Sequence, residues 1–116
     1  MKPVVFILAL VCFITVHCTA QNKVDRYCEI ILSSKAFSMV KFNVTVNFGE
    51  HPSLVNFTDT TVKSKVRKVE TFTNSVDVLN YMTNLGWTLV NTFNNHNVDT
   101  RYYIFKRTFD ASEIKQ

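Results

Sequence analysis

The stretch NSVDVLNYMTNLGWTLV, Asn74 to Val90, constrains the fold more than any other segment of the chain. Thr73, Asn74 or Ser75 can open a helix there, because each side chain can accept from a first-turn backbone N–H that has no partner within the helix. Asp77 falls in the first turn, where the helix dipole favours negative charge. Val76, Leu79, Met82 and Leu85 recur at offsets of three and predict a buried stripe, widened by Val78 and Tyr81. Gly86 follows the last periodic residue, where a left-handed backbone is cheap for glycine. Trp87 then opens a strand pattern. Trp87, Leu89 and Phe93 are expected on one side of it, and Thr88, Val90 and Thr92 on the other. A tryptophan just past the helix glycine is placed to fill the corner between helix and sheet.

The rest of the chain supplies the sheet. Val24 to Ser33 is rich in β-branched and aromatic residues and predicts a strand. Val40, Phe42, Val44, Val46 and Phe48 alternate with Lys41, Asn43, Thr45 and Asn47, which predicts a second strand with one buried and one wet face. Ser33 to Ser38 would connect the two, and Gly49 with the GEHPS cluster would end the second. Leu54 to Lys65 has no clean period. Lys65 to Phe72, KVRKVETF, reads as a short edge strand whose cations discourage unwanted pairing. Asn94 to Asp99 is rich in turn-tolerant residues, and Thr100 to Phe109 is the last strand. The expected fold is α+β, a small antiparallel sheet of four to five strands with one helix on one face, in the order β-β-(β)-α-β-β.

The first twenty residues read differently. Lys2 precedes a 13-residue, almost wholly apolar run from Val4 to Val16, and Cys18-Thr19-Ala20 offers small residues at a cleavage point. This pattern predicts a secretory signal cut near Ala20–Gln21, with residues 21–116 forming one α+β domain. An uncleaved anchor is the alternative, although the run is shorter than the roughly 18 residues a membrane span requires. Removing Lys2 lowers the net charge from +4 to +3, a mild bias toward anionic surfaces rather than a nucleic-acid footprint. Cys12 and Cys18 leave with the signal, so Cys28 would have no internal disulfide partner.

LNYMTNLGWTLV followed by YYIFKR resembles a family of small exported bacterial domains of unknown function with a helix–Gly-Trp–strand signature, the GWELV-type domains. FTNSVDVLNYMTNLGW is similar to the FNS-x-x-D-x-LNYM-x-x-x-GW pattern in secreted proteins of Gram-negative gut bacteria, with one extra residue between Phe72 and Asn74. The resemblance covers roughly the C-terminal half. It implies a small α+β fold and carries over no activity and no functional residues.

Candidate chemistry is sparse. Cys28 with His51 or His96 would be a nucleophile and base, but Cys28 lies in an apolar strand run, where cysteine packs as a small hydrophobe. His96 and Asp99 are two potential metal ligands in one turn, short of the three or four a zinc site uses. No HExxH, GxSxG or glycine-rich phosphate loop occurs. Lys63, Lys65, Arg67 and Lys68 form a basic cluster able to meet an anionic partner, or simply a solvated edge. Tyr102, Tyr103 and Phe105 with Lys106 and Arg107 have the composition of a single-strand-binding surface, yet strand alternation sends them to opposite faces. Asn43 and Asn56 match the glycosylation acceptor pattern.

The reading these features support is a non-enzymatic exported domain without cofactor, an interaction or structural module. Its partner would be an unknown protein or anionic species met through Lys63, Lys65, Arg67, Lys68, Tyr102 and Tyr103, without nucleic acid and without a membrane span once the signal is cut. A surplus of alternating apolar residues over what one helix can cover would allow a homodimer. The alternatives are a Cys/His hydrolase, and an inhibitor or binding protein for an exported enzyme acting through Gly49–Ser53 or Asn94–Asp99.

Overall fold

The computed structural model describes residues 22–35 and 41–115; the expected signal segment, Val40 and residues 36–38 of the expected first hairpin connection lie outside them. Four strands and two helices are formed: β1 (Lys23–Ser34), β2 (Phe42–Asn47), α1 (Thr61–Arg67), α2 (Ser75–Asn84), β3 (Thr88–Asn95) and β4 (Thr100–Asp110). The sheet is antiparallel throughout, in the order β2-β1-β4-β3. Two hairpins thus lie side by side, joined at the centre by the long β1–β4 pairing.

That order explains the layering. β2 and β3 are the opposite edges, so the chain between them must cross three inter-strand gaps of about 4.8 Å each. It crosses on one face, as α1, a 3₁₀ turn at Lys68–Thr71, and α2. Val62, Val66 and Val69 from the first two and Val78 and Met82 from α2 are buried against Cys28, Ile30, Leu32, Phe42, Val44, Val46, Phe105 and Phe109 of the sheet. The second face of the sheet receives no helix from the described residues.

Lys65 to Phe72 is therefore not an edge strand. Val62, Val66 and Val69 fall at i, i+4 and i+7, a helical stripe, and the intervening Lys and Arg are good helix formers. Only a reading that starts at Lys65 misses Val62 and so misses the period. Among the described residues there are two α-helices rather than one, and the sheet edges are β2 and β3. Each edge is guarded in its own way. The Phe42 N–H donates to the Thr73 carbonyl at 3.0 Å, so the crossover ties down the start of β2. β3 carries a register shift between Leu89 and Asn91 and three asparagines, both of which blunt edge pairing.

α2 begins and ends as its sequence requires. Asn74 is extended at the N-cap, and its Oδ1 accepts from the Val76 N–H at 2.8 Å. At the other end the Gly86 N–H donates to the Thr83 carbonyl and the Trp87 N–H to the Met82 carbonyl, both at 3.0 Å. Gly86 at φ +90° supplies the left-handed turn that makes this pair of bonds possible. The buried stripe is rotated from the expected one. Val78 and Met82 lie at its centre, Leu79, Tyr81 and Leu85 pack on its flanks, and Val76 is 55% exposed. The i, i+4 pair wins because strict offsets of three drift round the helix by 60° per step. Replacing Asn74 with Ala should cost about 1 kcal/mol by removing the cap, read as a lower denaturation midpoint at unchanged m-value.

Candidate functional site

The two tyrosines expected to act together are separated by strand alternation. Tyr103 faces the helices, opposite Ile30, and packs against the core. Tyr102 faces the open side, opposite Ile31 on β1 and Phe93 on β3. The Phe93 and Tyr102 rings stack at 4.6 Å between centroids with 7° between planes. Phe93 reaches this face because of the irregularity in β3. Leu89 pairs with Phe105 on the helix side, Val90 is the extra residue, and from Asn91 onward the alternation is inverted. The expectation that Leu89 and Phe93 share a side is thus overturned.

The open face exposes several apolar side chains. Tyr27 is 54% exposed and Phe93 47%, and half-buried Ile31, Tyr102 and Ile104 lie between them together with half-buried Glu29, opposite Ile104. Its charges neutralise one another near the start of β1. Lys23 pairs with Asp110. Lys106 Nζ lies 4.0 Å from Asp25 Oδ2, and the Thr108 hydroxyl donates to Asp25 Oδ1 at 2.6 Å.

The basic cluster lies on the other side of the sheet, and its side chains fan out in different directions. A helix fans successive side chains by 100°. Lys63 and Arg67, four apart, both lie over the Phe48 ring, at 5.9 and 5.6 Å, and Arg67 also pairs with Glu70 at 2.9 Å. Lys68 sits 5.8 Å from the Tyr81 ring. Lys65 turns toward β4. Arg107, predicted beside Lys106 on an aromatic-basic surface, instead faces the helices over the Phe109 ring at 4.7 Å. The aromatic and basic groups of the last strand are therefore split between faces.

Between α1, α2 and β4 the structure contains a recess of about 220 Å³ lined by Asp59, Val62, Lys65, Asn84, Leu85, Trp87 and Arg107. Asp59 is fixed by the Thr61 hydroxyl at 2.6 Å and the Thr61 N–H at 2.8 Å. These bonds, with weaker attraction from Lys65 and Arg107, hold its carboxyl below the usual carboxylate range. Asp59 does not stand out as a site residue in the sequence, and Arg107 does so only as part of an aromatic-basic surface on the last strand. Asp59 lies in the segment without a period. For Arg107 a signal did exist, since it sits between Phe105 and Phe109 on the inward alternation.

Cys28 is 3% exposed in the middle of β1, and burial pushes its thiol up to about 12. Neither imidazole is hydrogen-bonded to it. His51 and His96 are exposed on loops, with His51 Nδ1 2.8 Å from the Ser53 hydroxyl. Among the described residues no three His, Cys, Asp or Glu side chains converge, and no helix is long and apolar enough to cross a membrane. Asn43 and Asn56 are both exposed. No family model, no curated protein and no solved structure matches this chain.

Proposed function

We propose that this protein is a non-enzymatic exported module that works by association through the open face of its sheet, and that the surface it meets is a second copy of itself. The observation that carries this reading is the helix-free face with its exposed Phe93–Tyr102 stack. A contiguous apolar face on a small soluble domain is an association surface. Charge supports a second copy as occupant. On this face Lys23–Asp110 and Lys106–Asp25 close within the chain, leaving Glu29 as a half-buried charge without an ion pair among the described residues, whereas the helical side carries Lys63, Lys65, Arg67 and Lys68. Export rests on the apolar segment after Lys2, and the Gly86–Trp87 turn is the feature shared with the exported bacterial domains the chain resembles.

Size exclusion with light scattering tests the reading. The protein should elute at twice its chain mass in the micromolar range. The double variant Phe93→Ser, Tyr102→Ser should return it to one chain mass, with the far-ultraviolet circular dichroism unchanged, because neither residue is in the buried core. A strict monomer up to hundreds of micromolar overturns the proposal.

A further inference from the structure

On the opposite side of the sheet from the open face, two shielded donor nitrogens have no hydrogen-bond partner among the described residues. Trp87 is 1% exposed and lines the recess, and its indole Nε1 is shielded from solvent with no hydrogen-bond partner among the described residues. Arg107 lines the same recess, and its guanidinium rests on the Phe109 ring without an ion pair. Directly across from Arg107 on β1 stands Arg26, on the same side of the sheet. Like charges in opposed positions destabilise a strand pair, and the Arg26 Nε is likewise shielded and unpartnered. Lys65, at the rim, makes no ion pair within 4.0 Å among the described residues. A buried donor without an acceptor costs about 1–3 kcal/mol, and natural structures keep few of them. One such donor, the Trp87 indole, lies in the recess with Arg107 and Lys65, and the second, on Arg26, lies across the strand pair from Arg107; together they describe a site suited to an anion.

We infer that this recess binds the carboxylate group of a small organic monoanion, held by Arg107 and Lys65 with the Trp87 indole N–H as an additional donor. The charge of the lining selects the class. Lys65 and Arg107 against Asp59 sum to +1, which matches one carboxylate and leaves a dianionic phosphate in excess. The fixed Asp59 carboxylate repels a second negative charge at the rim. About 220 Å³ admits a molecule of a few heavy atoms and excludes a polymer chain, so the site is distinct in kind from the association face.

Trp87 is the only tryptophan in the chain, so its fluorescence reports on the site directly. Titrating the purified protein with sodium acetate, against sodium chloride at matched ionic strength, should give a saturable change in emission with acetate alone. Arg107→Gln and Lys65→Gln should each weaken that binding roughly tenfold or more, the loss expected for one charge-assisted hydrogen bond. Lys65 is exposed, so its variant keeps the test valid if Arg107→Gln does not fold. The inference is overturned if the acetate response is linear or equals that of chloride, if both variants bind as well as the parent, or if inorganic phosphate binds more tightly than acetate.

Discussion

Replacing Trp87 with Ala should destabilise the protein by about 3–5 kcal/mol, a large share of the roughly 5–15 kcal/mol that holds a domain of this size together. Three contributions are lost at once. The indole is 1% exposed and among the largest fully buried side chains. It meets Phe109 edge-on, with centroids 6.0 Å apart and planes at 72°, a geometry that adds to simple burial. It also belongs to the same buried cluster as Met82, whose carbonyl accepts the Trp87 N–H at the end of α2; these are the positions at which apolar burial secures a glycine-terminated helix. Trp87→Phe keeps the ring contact and removes an indole N–H that has no partner among the described residues, so it should cost far less. Chemical denaturation distinguishes the two variants. A loss below about 1.5 kcal/mol for the alanine variant would mean that helix and sheet are joined by something other than this corner.

The same corner shows what the sequence makes legible. Cap, helix, glycine and tryptophan are local chemistry, each fixed by the residue's own preferences, and they occur where the residues require. β2 is equally legible, because Phe42, Val44 and Val46 alternate with polar residues and every inward position is buried. The failures have a common origin in placement. KVRKVETF was legible as a helix only with Val62 included. The irregularity at Val90 leaves no mark in composition, yet it decides that Phe93 faces away from the helices and completes the open surface. The recess is the least legible of all. It assembles Asp59 from a loop, Lys65 from α1, Asn84 from α2 and Arg107 from β4, and only the sheet order brings them together.

Raising the pH from 8 to 11 should remove most, though not all, of the stabilisation that follows from burying the Cys28 thiol as a neutral group. Burial raises its thiol from 9.0 to about 12, so the folded protein holds this proton more tightly than the unfolded chain does. The contribution is complete below pH 9 and declines as pH rises from 9 toward 12. Each pH unit in that window removes about 1.4 kcal/mol, on the order of 4 kcal/mol in all. Tyrosines and lysines titrate over the same range, so the parent must be compared with Cys28→Ala. The variant pays a constant cavity cost and retains every other titrating group. The parent's advantage, measured by denaturant unfolding, should therefore shrink steadily above pH 9. A difference that stays constant from pH 8 to 11 would mean that the thiolate is accommodated in the core. The same burial bears on the proposed export. A solitary cysteine in an oxidising compartment is a liability only as an accessible thiolate, and in the interior of β1, facing the helices, Cys28 is neither accessible nor ionised at neutral pH.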